Sequence, residues 1–189
     1  AAEHSDIAFI ISLAGPGVKG EDILLDQNKK MAKLMGATDE EINEDYDMNK
    51  IIYTILEEEN DNSKVSQKIK DSIREYLTKK NEKDIDQKVD ATVKSISPGA
   101  INWLRYFLLS DPSKYLEKIK CPVLALNGSK DVQVISSSNI PAIESSLKKG
   151  GNKDVTAIEV KDVNHLFQHC TTGLVTEYGK IEETMSVDV

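Results

Sequence analysis

The sequence contains no apolar run near the ~20 residues that crossing a bilayer requires, so no membrane span or membrane partner is expected. No basic-then-apolar leader opens it, and localisation stays open because any leader would lie upstream of Ala1. Basic residues are in deficit: 24 Lys and Arg face 32 Asp and Glu, a net charge of −8. A phosphate-backbone site needs clustered cations, so nucleic acid is not an expected partner. Cysteine is scarce. Cys121 and Cys170 form neither a disulfide framework nor a metal-ligand spacing, and they do not decide the redox compartment. No internal repeat or low-complexity tract occurs.

What is present fits a globular chain: 39% apolar and 30% charged residues over 189 positions suit one domain, or a small one with an inserted subdomain. The charge is uneven. Twelve acids and four lysines lie between Glu21 and Glu59, a net of −8 that equals the excess of the whole chain. A solvated helical surface is the plain reading; an acidic face that docks a partner is the rival.

Residues 7–13, 122–126 and 155–160 read as buried parallel strands, the first two apolar on both faces. Gly15-Pro16-Gly17 ends the first and Asn127-Gly128 the second. Helical character over residues 136–149, stopped by Gly150-Gly151, completes a strand, helix, strand crossover. Residues 21–109 read as a helical insertion between the first two strands. Thr38 and Glu41 form a capping box there, and Ile42, Tyr46, Ile52 and Ile55 follow at helical spacing. Val65, Ile69, Ile73 and Leu77 form an i, i+4 stripe, and Ile85, Val89, Val93 and Ile96 form another. Residues 101–109 read as an aromatic-rich helix stopped by Asp111-Pro112. The fold expectation is therefore a partial α/β fold: about three parallel strands, flanking helices and the insertion, with residues 1–20 and 110–189 forming the sheet domain.

Both ends read as cuts. The first strand reads as a central one that lacks a neighbour, and residues 184–189 read as a helix N-terminus that stops after one turn. A piece of a longer chain is expected, able to pair with a second copy through the strand at residues 7–13.

In an open parallel sheet, reactive groups sit in the loops after the carboxyl ends of strands. Asp131 follows the second strand and His165 the third. Acid after one strand and histidine after the next is the order in which such a sheet supplies an orienting carboxylate and a general base. The pairing matters because a serine hydroxyl needs a histidine to take its proton, and the histidine needs a carboxylate to fix its tautomer. Taken singly, Asp131 is also a plausible turn residue and His165 an ordinary loop histidine.

Pro122-Val123-Leu124-Ala125-Leu126-Asn127-Gly128-Ser129-Lys130-Asp131-Val132 resembles the acid strand and loop of the α/β-hydrolases, especially the bacterial dienelactone hydrolase and serine aminopeptidase branch. Asn164-His165-Leu166-Phe167 resembles its histidine loop, and residues 7–17 resemble the strand after the nucleophile elbow. Trp103-Leu104-Arg105-Tyr106-Phe107 resembles the last cap helix before the acid strand. The resemblance implies a serine esterase or peptidase acting on a small ester or amide, with His165 as base, Asp131 as acid, residues 21–109 as cap and no cofactor.

One departure decides activity: the chain has no Gly-x-Ser-x-Gly. Ser5 between His4 and Asp6 imitates a triad in print only, since adjacent side chains cannot form the relay. The expectation is an inactive C-terminal portion of an active hydrolase. His169, four residues past His165, is the weaker base candidate. The pair lacks the zincin glutamate, with Leu166 in its place, so no metal is expected. Trp103, Tyr106 and Phe107 read as packing residues first and substrate contacts second. Cys170 reads as a packing residue, and Cys121 starts its strand at the wrong end for catalysis.

Overall fold

The computed structural model describes residues 1–189. They divide into two compact units, residues 1–36 with 111–189 and residues 37–110. The first carries a parallel sheet, β1 (Ile10–Leu13), β2 (Val123–Gly128) and β3 (Val155–Val160), in that spatial order. With helices beside it, this is the partial α/β fold that the strand pattern foretells.

Helix α1 (Gly20–Leu34) belongs to the sheet unit, so the border falls after residue 36 instead of at residue 21. The loop leading into α1 is tied down locally. The N–H groups of Gly17 and Val18 donate to Asn139 Oδ1 at 2.8 and 3.3 Å, on the helix α7 (Ser136–Lys149) that connects β2 to β3. Helix α7 starts and stops where its sequence pattern says. Gly151, at φ +86°, takes the left-handed position that closes it, its N–H reaching Lys148 O at 2.8 Å.

One face of the sheet packs on α7: Val123 and Ala125 meet Ile143, Leu147 and Ile119 in a buried cluster, with Ile10, Val155 and Ala157 against it. A second cluster lies at the carboxyl ends of the strands and joins Ala14, Leu126, Val160, Val163 and Phe167. Strand β1 is an edge, paired with β2 alone, and Ile11 and Leu13 stand 54% and 44% exposed. It is shorter than its apolar run. Ile10 N–H reaches Pro122 O at 2.9 Å, and Pro122 has no N–H of its own to carry the ladder back towards residue 7.

The helical unit contains α2 (Asp39–Glu58), α3 (Asn62–Lys79), α4 (Ile85–Ser95) and α5 (Ile101–Leu109). The capping box forms at α2: Glu41 N–H donates to Thr38 Oγ1 at 3.3 Å, and Glu41 Oε2 accepts from Thr38 N–H at 2.8 Å. The stripe on α3 is its buried face, with Val65, Ile69, Ile73 and Leu77 all closed to solvent. The second stripe is weaker, since only Val89 of its four residues is fully buried. Tyr46, read as part of the α2 stripe, is exposed. Short helices α6 (Ser113–Leu116) and α8 (Val175–Tyr178) complete the sheet unit. No helix is long and apolar enough to cross a membrane.

The helix expected to begin at residue 184 is absent. Ser186 N–H donates to Phe167 O at 2.7 Å, and Ser186 Oγ accepts from Asp188 N–H at 3.1 Å. The segment forms a turn against the histidine loop.

Candidate active site

Two loops leave neighbouring strands at their carboxyl ends and are laced together. Ser129 N–H donates to Val160 O at 2.8 Å, and Lys130 N–H donates to Val163 O at 3.0 Å. Asp162 N–H returns a bond to Ser129 Oγ at 2.8 Å, and Lys130 Nζ reaches Asp162 Oδ1 at 3.1 Å. That lysine holds the Asp162 carboxyl below its usual range. Gly128 permits the approach, because a Cβ there would overlap the carbonyl oxygens of Val163 and Asn164.

This lacing sets the distance between the two singled-out residues. His165 Nδ1 lies 2.8 Å from Asp131 Oδ2. The Asp131 side chain is 0% exposed and that of His165 28%. Asp131 Oδ1 is occupied separately, accepting from the N–H groups of Gln133 and Val134 at 2.8 and 2.9 Å. The turn reading of this aspartate is met by Oδ1, and Oδ2 faces the histidine. An aspartate oxygen accepts here, so Nδ1 is the ring nitrogen that donates. No protein group bonds Nε2.

The histidine is presented by a polar turn with apolar anchors. Asn164, fully buried, accepts from Leu166 and Gln168 N–H through Oδ1 at 2.9 and 3.1 Å. Val163 and Phe167 flank the turn in the apolar cluster, and Phe167 adopts φ +58° to reach it. Tyr178 packs nearby, accepting from Gln133 Nε2 at 3.1 Å, and burial pushes its phenol up.

The remaining candidates fall elsewhere. His169 is not one helical turn beyond His165: it bridges to Val163 across an antiparallel pair, and its ring faces Glu183 at 3.1 Å. The two imidazoles thus serve different carboxylates, Asp131 and Glu183. His4, Ser5 and Asp6 precede β1 and are exposed, and His4 and Ser5 line a hollow with Cys121 and Pro122 at the starting end of the strands. Burial pushes the Cys170 thiol up, and nearby Glu177 adds to it. Trp103, Tyr106 and Phe107 lie in the helical unit. The packing role does not hold for the first two, which are 62% and 77% exposed; Trp103 stacks on Phe107 at 5.4 Å.

No family model, curated protein or solved structure matches this chain. The site therefore rests on its own geometry. That geometry includes residues the sequence did not single out: Asn164 and Gln168, whose pairing spans only four positions, and Glu183, which caps the loop from a distance. Asn-x-x-x-Gln around a histidine is the one local signal available for the first two.

Proposed function

We propose that Asp131 and His165 are the orienting acid and general base of a serine-type α/β-hydrolase that cleaves an ester or amide through an acyl-enzyme. The observation that carries this reading is the 2.8 Å contact between His165 Nδ1 and a buried Asp131 oxygen, at the carboxyl ends of adjacent parallel strands. A serine Oγ attacks the substrate carbonyl while its proton passes to Nε2. The tetrahedral adduct collapses, and the same proton goes to the departing alcohol or amine. Water then attacks the acyl-enzyme, giving its proton to Nε2, and the carboxylic acid leaves as the serine regains a hydrogen. Asp131 takes no proton in either step and faces the ring while Nε2 carries the proton.

The serine is proposed to come from outside these 189 residues, since they contain no Gly-x-Ser-x-Gly elbow. Pairing of two copies through β1 is proposed as well, on the strength of its open, apolar edge.

The test uses the whole protein that carries this sequence, with p-nitrophenyl acetate and a fluorophosphonate probe. Turnover and one labelled serine are expected, both lost in His165→Ala. A protein that neither turns over short- and longer-chain esters nor takes the label would overturn the reading.

A further inference from the structure

Asn127 is the last residue but one of β2 and is 1% exposed. Both hydrogens of its amide are engaged: Nδ2 donates to Asp131 Oδ2 at 3.2 Å and to Val134 O at 2.8 Å. The orientation is dictated by these partners, because the flipped amide would set an oxygen against two acceptors. The consequence is that Asn127 Oδ1 is the one buried side-chain oxygen or nitrogen in the chain without a partner. A buried, unpaired carbonyl is a cost to folding. An apolar side chain would not carry that cost, but it would leave Asp131 Oδ2 and Val134 O each without this donor, so whatever the amide contributes lies at the carboxylate and its turn. What the amide does supply is a second donor on the same carboxylate oxygen that faces His165, and a tie across the turn from Asp131 to Val134.

We propose that Asn127 is a positioning residue for the Asp131–His165 pair: it steadies the carboxylate oxygen that faces the imidazole and holds the acid loop closed behind it. This rests on reading that pair as acid and base. Asp131 Oδ1 is locked by two backbone N–H groups, and without Asn127 Asp131 Oδ2 has the histidine as its only partner. The carboxylate then rocks, and the Nδ1–H tautomer is less firmly held.

The experiment is NMR on the 189-residue chain, reading the His165 Nδ1–H resonance, its exchange with water and the ring 15N tautomer. In Asn127→Leu, Nδ1–H exchange is expected to rise about tenfold, the scale of one lost hydrogen bond, and the ring to shift towards mixed tautomers. Backbone amides of α7 and β3 stay in place, which separates positioning from unfolding. A folded Asn127→Leu chain with native Nδ1–H exchange and tautomer overturns the proposal. Should that variant not fold, the native chain decides: both Asn127 Nδ2 hydrogens are expected to be protected from exchange, and free exchange of either overturns the proposal. Asp131→Asn is the control on the underlying reading. Loss of the native Nδ1–H signal there is expected, and an unchanged signal sinks the acid–base pair itself, whatever Asn127 does.

Discussion

Asp131 gives its two oxygens different tasks, and that division explains how a short loop holds a carboxylate still. One oxygen closes its own turn on Gln133 and Val134; the other faces the histidine. The residue that lets the Asp131 and His165 loops approach is Gly128, which carries no chemistry. Its α-carbon faces the carbonyls of Val163 and Asn164, so any side chain must push the histidine loop outwards. Gly128→Ala is expected to cost about 1–3 kcal/mol, the usual range for overpacking, and to weaken the Nδ1–H signal of His165. Thermal unfolding with one-dimensional NMR checks both, and an Ala variant with native melting and a native signal would show that the loops are not in close contact. Asp131 and His165 were legible because each follows a strand and their order matches an acid–base relay. Asn127 was not, because Asn-Gly reads as turn punctuation and its partners are visible only once the turn has closed.

At the level of elements, two features respond to conditions. The first is the clasp on the histidine loop, where Glu183 accepts from His169 N–H at 2.6 Å and its main-chain oxygen accepts from Gln168 Nε2 at 2.9 Å. The His169 backbone N–H, then its ring, hold the Glu183 carboxyl below the ordinary value. A carboxyl lowered in the folded state contributes its stabilisation fully above the unfolded pKa and loses it as pH falls through the folded one. Amide exchange at His169 and Ser186, corrected for intrinsic rates, should therefore accelerate on acidification below the ordinary glutamate range. Glu183→Gln should remove that pH dependence; protection that persists in strong acid would contradict the clasp. The second feature is β1. Its outer edge is unpaired, and Ile11 and Leu13 lie exposed beside it. Sedimentation at tens of micromolar should show self-association, reduced in Ile11→Lys, whose charge opposes edge pairing. A strictly monomeric native chain would refute this. The length of β1 was misjudged from its apolar run because the limit lies in its neighbour, at Pro122. The turn at residues 184–189 was misread as a helix because the Phe167 carbonyl that captures Ser186 is a tertiary partner.

For the whole molecule, β2, the crossover helix and the α3 stripe were readable because pattern and burial agree there; β1 and β3, read as buried, are the open edges of the sheet and only partly covered, and the unit border was hidden because α1 looks like one more helix of the insertion. The open question at this scale is what the 189 residues do by themselves. Acyl transfer needs a nucleophile, a base and donors for the oxyanion, and on the proposed reading the Asp131–His165 pair would supply the base alone. The chain should hydrolyse p-nitrophenyl acetate no faster than free imidazole at equal concentration, with His165→Ala no faster than the native chain and no serine taking a fluorophosphonate. An ester rate well above imidazole that vanishes in His165→Ala would mean that a serine within the chain is already served, and the proposed outside nucleophile would be wrong. The acidic stretch between Glu21 and Glu59 gives the same sample a second readout. If it docks a basic partner, retention on the chain should fail between ~0.1 M and ~1 M salt, as the screening length drops from about 10 Å to about 3 Å. Salt-sensitive retention, joined to an unreactive whole protein, would favour a binding module; a labelled serine in the whole protein favours the hydrolase.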